Sequence, residues 1–304
     1  MKTLYICPEA FIGNCLRNIS SCAIIGKYYN YDIVIDMLHN GGIHPKEHAI
    51  ITELFGSLCK YDCENKYKKM RYRDIGDYSD IFFNGTNHNL IYEGRLKPNV
   101  HFNINEDFGL SSMIYSIIPG DMTKEEFIKE KLLFYNKVKF PSWLLNSAAK
   151  FNEKYDLTNC IGVHIRYTDN LNDQSKNDYN FNTHFNSFLL RINEFEKTTI
   201  LICSDNNDVL NFFKNYKETT NTFIFADECE IPEKEKLEFF QPLYEMMLLS
   251  NSSKIIGSAS STFSYEAAFF KGTDIELYER EFDITNDVNS LLSNNFIWKT
   301  YYLK

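Results

Sequence analysis

Two short stretches concentrate the groups that could do chemistry. The first is Cys160-Ile161-Gly162-Val163-His164-Ile165-Arg166-Tyr167-Thr168-Asp169. Ile161, Val163 and Ile165 are β-branched and suit a strand buried inside a sheet. His164 and Arg166 stand two apart, so in a strand they point to the same face. Beyond Asp169 the run Asn170-Leu171-Asn172-Asp173-Gln174 turns polar and reads as a loop leaving the strand's C-terminal end, where open α/β sheets bind ligands. A guanidinium there is a planar, fivefold donor suited to phosphate. An arginine capping a carboxylate beside a packed core histidine would use the same residues, and this stretch alone leaves both readings open.

The second stretch is Ser258-Ala259-Ser260-Ser261-Thr262-Phe263-Ser264, with five hydroxyls in seven positions. It follows a strand-like run at Lys254–Gly257 and opens a helix, so unpaired N–H groups and hydroxyls converge in a way that suits a diphosphate. A plain helix cap needs only one such hydroxyl. Asp205 adds a polar group at a further strand exit, after Thr199–Cys203. Neither a P-loop lysine motif nor G-x-S-x-G is present, so P-loop nucleotide hydrolysis and α/β-hydrolase chemistry lack support.

The elements that must position these groups alternate. Lys2–Cys7 predicts a strand, residues 8–14 a glycine loop, 15–27 a helix and Tyr31–Met37 a second strand, together a βαβ unit without a G-x-G-x-x-G fingerprint. Residues 45–60 predict a helix, and the polar, tyrosine-rich segment 61–80 an irregular surface. Short strands are expected at 81–84 and 89–93, and residues 101–120 are read no further than as a mixed loop and helix. Thr123 with Glu126 forms a capping-box signature for the next helix, and Pro141-Ser142 starts another that runs to about Tyr155. The polar break at 156–159 separates a domain of residues 1–155 from one of 156–304. Beyond the central strand, helices are expected near 183–196, up to 216, at 233–250 around Pro242 and at 265–270. Strands are expected at 199–203, 222–225, 254–257 and 274–278, with a helical tail from Asn286. Strands alternating with helices indicate a parallel sheet.

Composition narrows the classes. The 304 residues carry a formal net charge of −9, which argues against a nucleic-acid partner. No apolar run approaches the roughly 20 residues of a transmembrane helix, and Met1-Lys2-Thr3 leads into a strand rather than a signal peptide, so the expected location is cytoplasmic. The eight cysteines show no framework spacing, and Cys59 and Cys63 with His44 and His48 do not match a structural zinc pattern. They are expected to be reduced and non-catalytic, with no metal site.

Taken together, the motifs resemble a family. Gly162-Val163-His164-Ile165-Arg166 with Asp169 resembles the H-x-R-x-x-D signature of the α-1,2-, α-1,6- and protein O-fucosyltransferases. Met246–Ser250 and Ile255–Ala268 resemble their C-terminal motif, and Gly13-Asn14-Cys15-Leu16 with Ile33–Asp36 their N-terminal glycine loop and second strand. Many α-1,2 and α-1,6 members carry two adjacent arginines, whereas this chain has Tyr167 in the second place.

The resemblance implies an α/β fold of the GT-B type, with two Rossmann-like domains facing across a cleft. The C-terminal domain would hold the nucleotide sugar and the N-terminal domain would form the acceptor side. It implies inverting, metal-independent transfer of L-fucose from GDP-fucose to a glycan acceptor, with GDP-fucose as donor substrate and no cofactor. Arg166 and the groups around Ser260, Ser261 and Thr262 would stabilise the leaving diphosphate, and His164 would contact the nucleotide or orient Arg166. Gly13, Asn14 and Asp205 join the nucleotide-sugar-binding set. Glu245 would face guanine, and Asp169 or Asp173 would accept the acceptor's proton. Two other readings stand beside this one. The first is a GT-B transferase using another nucleotide sugar, favoured by Tyr167. The second is a catalytically silent nucleotide- or carbohydrate-binding protein on the same scaffold.

Overall fold

A computed structural model of the protein describes residues 2–8, 11–37, 45–61, 63, 68–71, 96–100, 107–111, 116–167, 183, 185–232, 237–258, 261–280 and 296–303. The chain divides into two compact units, Met1–Leu145 with Cys229–Leu243, and Asn146–Glu228 with Tyr244–Lys304.

The first unit opens with β1 (Lys2–Cys7), α1 (Ile12–Tyr29) and β2 (Tyr31–Asp36), the βαβ unit read from the sequence. There follow α2 (Pro45–Phe55), β3 (Cys59–Lys60), β4 (Lys68–Arg71), β5 (Leu96–Val100), β6 (Phe108–Ser111), β7 (Ser116–Pro119) and α3 (Lys124–Lys137). Five strands form a sheet in the order β3-β2-β1-β6-β4, all pairs parallel, while β5 and β7 pair separately. The α1 stripe of Leu16, Ile19, Cys22 and Ile25 is buried, and Asn30 in the left-handed region ends the helix. From α1, the Asn18 amide donates to the Cys7 carbonyl of β1 at 2.9 Å and to Leu110 of β6 at 3.4 Å. The predicted capping box is present: Glu126 N–H donates to Thr123 Oγ1 at 3.2 Å, and Thr123 N–H donates back to Glu126 Oε2 at 2.8 Å.

Several local expectations are corrected. The helix expected over 45–60 stops at Phe55, and a single 3₁₀ turn (Gly56–Leu58) leads into β3. The segment 61–80, read as irregular, contains β4, whose Lys-Lys-Met-Arg sequence hides a strand that pairs with β6. The described part of 101–120, read as mixed loop and helix, holds strands β6 and β7, each fixed by pairing with a distant strand, and the strands expected at 81–84 and 89–93 lie outside the described residues.

The second unit is reached through α4 (Ser142–Tyr155) and contains β8 (Ile161–Ile165), α5 (Phe185–Asn193), β9 (Thr199–Ser204), α6 (Asn207–Asn215) and β10 (Thr222–Phe225). After α7 (Leu237–Ser250) come β11 (Lys254–Gly257), α8 (Thr262–Lys271), β12 (Ile275–Arg280) and β13 (Phe296–Tyr301). The strand order is β10-β9-β8-β11-β12-β13, parallel except for β13. The tail, expected to be helical, is therefore a strand where it is described. Its aromatic and β-branched residues suit a pleated surface, and pairing with β12 overrides any helical tendency.

Alternation along β8 explains both layers. Ile161, Val163 and Ile165 join Ile200, Ile202 and Ile256 on one face, against Phe188 and Ile192 of α5 and Val209 and Phe213 of α6. Each such buried side chain contributes about 1.5–3 kcal/mol. Gly162 and His164 take the opposite face. A Cβ on Gly162 would lie 2.9 Å from Leu249 of α7 and 2.8 Å from Ser252 Oγ, and one on Gly257 would lie 2.5 Å from Ser264 Oγ of α8. Glycine at these two strand positions lets the α7 end and α8 pack directly on the sheet. Glu276 of β12, buried to 2 % exposure, binds Arg191 of α5 at 2.6 Å and Lys254 of β11 at 2.7 Å.

Candidate anion site at the switch point of the second sheet

The second sheet reverses its order of growth between β8 and β11. From β8 the chain adds β9 and β10 on one side, then crosses through α7 to place β11 and β12 on the other. Such a reversal leaves room outside the strands' C-terminal ends, because the connections on either side diverge to opposite faces. The His164–Arg166 stretch and the serine run occupy these two strand ends, with His164 in register with Gly257.

Side chains from both neighbouring strands hold the β8 exit. Ser204 Oγ at the end of β9 donates to the Ile165 carbonyl at 2.7 Å. The Arg166 N–H donates to Ser258 Oγ at 2.9 Å, and the Tyr167 N–H donates to Asp205 Oδ1 at 2.8 Å. Asp205 thus fixes the backbone directly after Arg166, while its residue remains exposed. The Tyr167 ring meets Phe185 edge to face, with centroids 6.2 Å apart.

His164 is 5 % exposed and its ring stacks on Phe263 in the first turn of α8, at 4.5 Å and 24°. Its Nδ1 has no hydrogen-bond partner among the described residues. Burial, and then the neighbouring Arg166 charge, lower its pKa to about 3, so the imidazole is neutral at pH 7. A neutral His164 leaves Arg166 to supply positive charge at the β8 exit.

Ser261 stands at the N-cap of α8 and is 1 % exposed, yet its side chain makes no capping bond and its Oγ has no partner among the described residues. That outcome disfavours a plain cap, in which the hydroxyl would accept from the helix's own first turn. Thr262 is the first helical residue and is buried; α8 begins there, three residues before the predicted start. Helix N–H groups, buried hydroxyls and a guanidinium together favour an anion with several oxygens.

The remaining predicted residues divide. Glu245 lies half-buried on α7; burial, and then its charge, push up the Cys203 thiol at the end of β9, next to His164 in the sheet register. Gly13 and Asn14 belong to the first unit. They are not in a loop but in the first turn of α1, which starts at Ile12, at the point where the first sheet reverses between β1 and β6. The helix extends backwards because Ile12 is buried along with Leu16 and extends the apolar stripe. Asp169, Asp173 and Ser260 lie outside the described residues. Ser258, Ser204 and Phe263 were not among the predicted site residues; only the hydroxyl density of 258–264 pointed toward Ser258. All eight cysteines are free thiols, and no described helix is long and apolar enough to cross a membrane.

No family model and no curated protein matches the sequence. Solved structures do match. A crystal structure of the α-1,6-fucosyltransferase NodZ soaked with GDP-fucose aligns over 98 % of this chain and 99 % of its own, at 13 % identity and a TM-score of 0.50. The fucosyltransferase NodZ from Bradyrhizobium aligns over 92 % and 96 %, at 15 % identity and a TM-score of 0.50. The chain has a fucosyltransferase-type fold. It is α/β of the GT-B class, as the sequence motifs implied, with helices packed on a sheet that is parallel in the first unit and parallel except for β13 in the second. Identity this low establishes the fold alone, and function rests on the site.

Proposed function

We propose that this chain is an inverting, metal-independent glycosyltransferase that moves L-fucose from GDP-fucose to a glycan acceptor. The observation that carries the proposal is the joining of Arg166, His164 and the N-terminus of α8 at the switch point of the second sheet. The fold shared with NodZ, whose crystal structure was obtained after soaking with GDP-fucose, supports the same reading.

The chemistry follows from charge. As the bond between the sugar's anomeric carbon and the β-phosphate oxygen breaks, its electron pair leaves with the phosphate, and the ring becomes oxocarbenium-like. Arg166, with the N–H groups and hydroxyls of Ser260, Ser261 and Thr262, stabilises that growing negative charge. The acceptor hydroxyl attacks the opposite face of the ring, which inverts the centre. Its proton passes to Asp169 or Asp173, which follow β8 in the sequence. His164, Asp205, Gly13 and Asn14 complete the donor site, and Glu245 accepts from guanine.

A second reading has an observation of its own. Tyr167 stands where many relatives carry a second arginine and is engaged with Phe185, which favours a transferase using another nucleotide sugar. Release of nucleoside diphosphate from GDP-fucose and from a panel of other nucleotide sugars, each with a set of glycan acceptors, separates the two. Acceptor-dependent GDP release that persists in excess chelator is the expected result. Turnover only with another donor sustains the second reading. Binding without turnover leaves a silent binding protein, and activity that vanishes in chelator and returns with manganese moves the mechanism to a metal-assisted class.

A further inference from the structure

The strand ladder between β8 and β11 ends at His164 and Gly257, and one residue past it a side chain takes over. Ser258 is wholly buried. Its N–H and its Oγ both donate to the His164 carbonyl, at 3.2 and 3.3 Å. The same Oγ accepts the Arg166 N–H at 2.9 Å. The Ser258 carbonyl in turn accepts the N–H of Ser261, the N-cap of α8, at 3.2 Å. A single serine is therefore bonded to the backbone on both sides of Ile165 and to the start of α8.

We propose that Ser258 is a positioning residue that fixes the Arg166 backbone to the N-terminus of α8, so that guanidinium and helix N–H groups meet one diphosphate in a set geometry. This rests on reading the site as one for a nucleoside diphosphate. The guanidinium lies close enough to His164 for its charge to be felt there, and the His164 ring lies on Phe263 of α8. Arg166 and α8 thus already share a neighbour, and Ser258 joins their backbones. Removing its hydroxyl would leave the Arg166 amide without its partner and free the β8 exit to shift against α8. Small displacements of this kind weaken multi-point anion contacts without touching the base or ribose.

A hydroxyl that merely satisfied a buried amide would alter stability alone. A positioning hydroxyl alters how strongly the phosphates are felt. Calorimetric titration of GDP and guanosine into the parent protein, Ser258→Ala and Ser250→Ala distinguishes the two. Ser250 is also a buried serine, whose Oγ donates to the Met247 carbonyl of α7 at 2.7 Å. The preference for GDP over guanosine is expected to fall about tenfold or more in Ser258→Ala, with guanosine affinity held and with the Ser250→Ala preference equal to the parent's. An unchanged preference in Ser258→Ala overturns the role of Ser258 while leaving the nucleotide site standing. Failure of GDP to bind the parent overturns the nucleotide reading itself. Hydrogen exchange on the parent protein tests the idea without any variant. GDP is expected to slow exchange together in the peptide carrying His164–Tyr167 and in the one carrying Ser258 and the first turn of α8. Protection of one segment without the other overturns the coupling.

Discussion

The backbone N–H of Arg166 and the hydroxyl of Ser258 lie 2.9 Å apart although 92 positions separate them in the chain. That bond joins two motifs, each of which supplies one part of the proposed anion site: a cation from one, helix N–H groups and hydroxyls from the other.

Arg166→Ala should lower turnover by roughly 10²-fold or more, the scale of losing one preorganised charge-stabilising group. Arg166→Lys should recover only part of it, since an ammonium lacks the planar fork. Initial rates of GDP release, paired with thermal melts that match the parent, are the check. A variant with parental rates would place the reaction away from the β8 exit.

His164 makes stability depend on pH. In the folded chain its pKa is about 3, whereas in the unfolded chain it returns to about 6.5. Between those values the unfolded state binds the extra proton, so stability rises with pH across the window and is lost as pH falls below about 6.5. The slope approaches 1.4 kcal/mol per pH unit for one such group. Urea unfolding of the parent and of His164→Gln from pH 4.5 to 7.5 isolates the contribution. Parallel stability curves would show that the imidazole is solvated and titrates normally.

Glu245 is placed to test which base is read. Guanine presents N1–H and an exocyclic amine side by side, two donors that one carboxylate accepts together, and adenine and uracil offer no such pair. GDP should therefore protect against heat more than ADP or UDP at equal concentration. Ligand at about 100 times its dissociation constant adds roughly 2.7 kcal/mol, which for a chain of this size is a shift of a few degrees. Glu245→Gln should shrink the GDP shift, because an amide turns an NH₂ toward donors. Equal shifts for the three diphosphates would remove Glu245 from the site.

Gly257→Ala should cost about 1–3 kcal/mol of stability, the range for overfilling a packed core. Its Cβ would meet Ser264 Oγ at 2.5 Å and Leu277 at 3.0 Å, both buried and neither able to swing into solvent. The midpoint of urea unfolding measures this. A midpoint equal to the parent's would mean that α8 can move outward freely.

Much of this was legible in the chain. The strands β8, β9 and β11 stood out because burial on both faces writes apolar, β-branched runs, β10 as a short apolar run at the sheet edge, and the Thr123–Glu126 box because its chemistry is local. β4 was hidden because its four residues include three basic ones, and β13 because its identity depends on a partner strand elsewhere in the chain. The start of α1 was misplaced because Gly13 reads as a loop residue, although Ile12 and Leu16 bury the turn around it. The return of Cys229–Leu243 to the first unit is a property of contacts rather than of composition. His164, Arg166 and the serine run were visible as chemistry, but Ser258 as the bond between them was not. Its role depends on the register that sets His164 beside Gly257, which periodicity within either strand does not encode.

The face-on stacking of His164 over Phe263 has a consequence for spectroscopy. Protons held above a phenyl ring experience its circulating π-electron current and resonate upfield of their usual positions. The ring protons of His164 should therefore stand apart from those of the other six histidines in a proton NMR spectrum. Any ligand that moves the β8 exit relative to the start of α8 would displace that signal, so the molecule carries its own unlabelled reporter at the point where its second sheet opens.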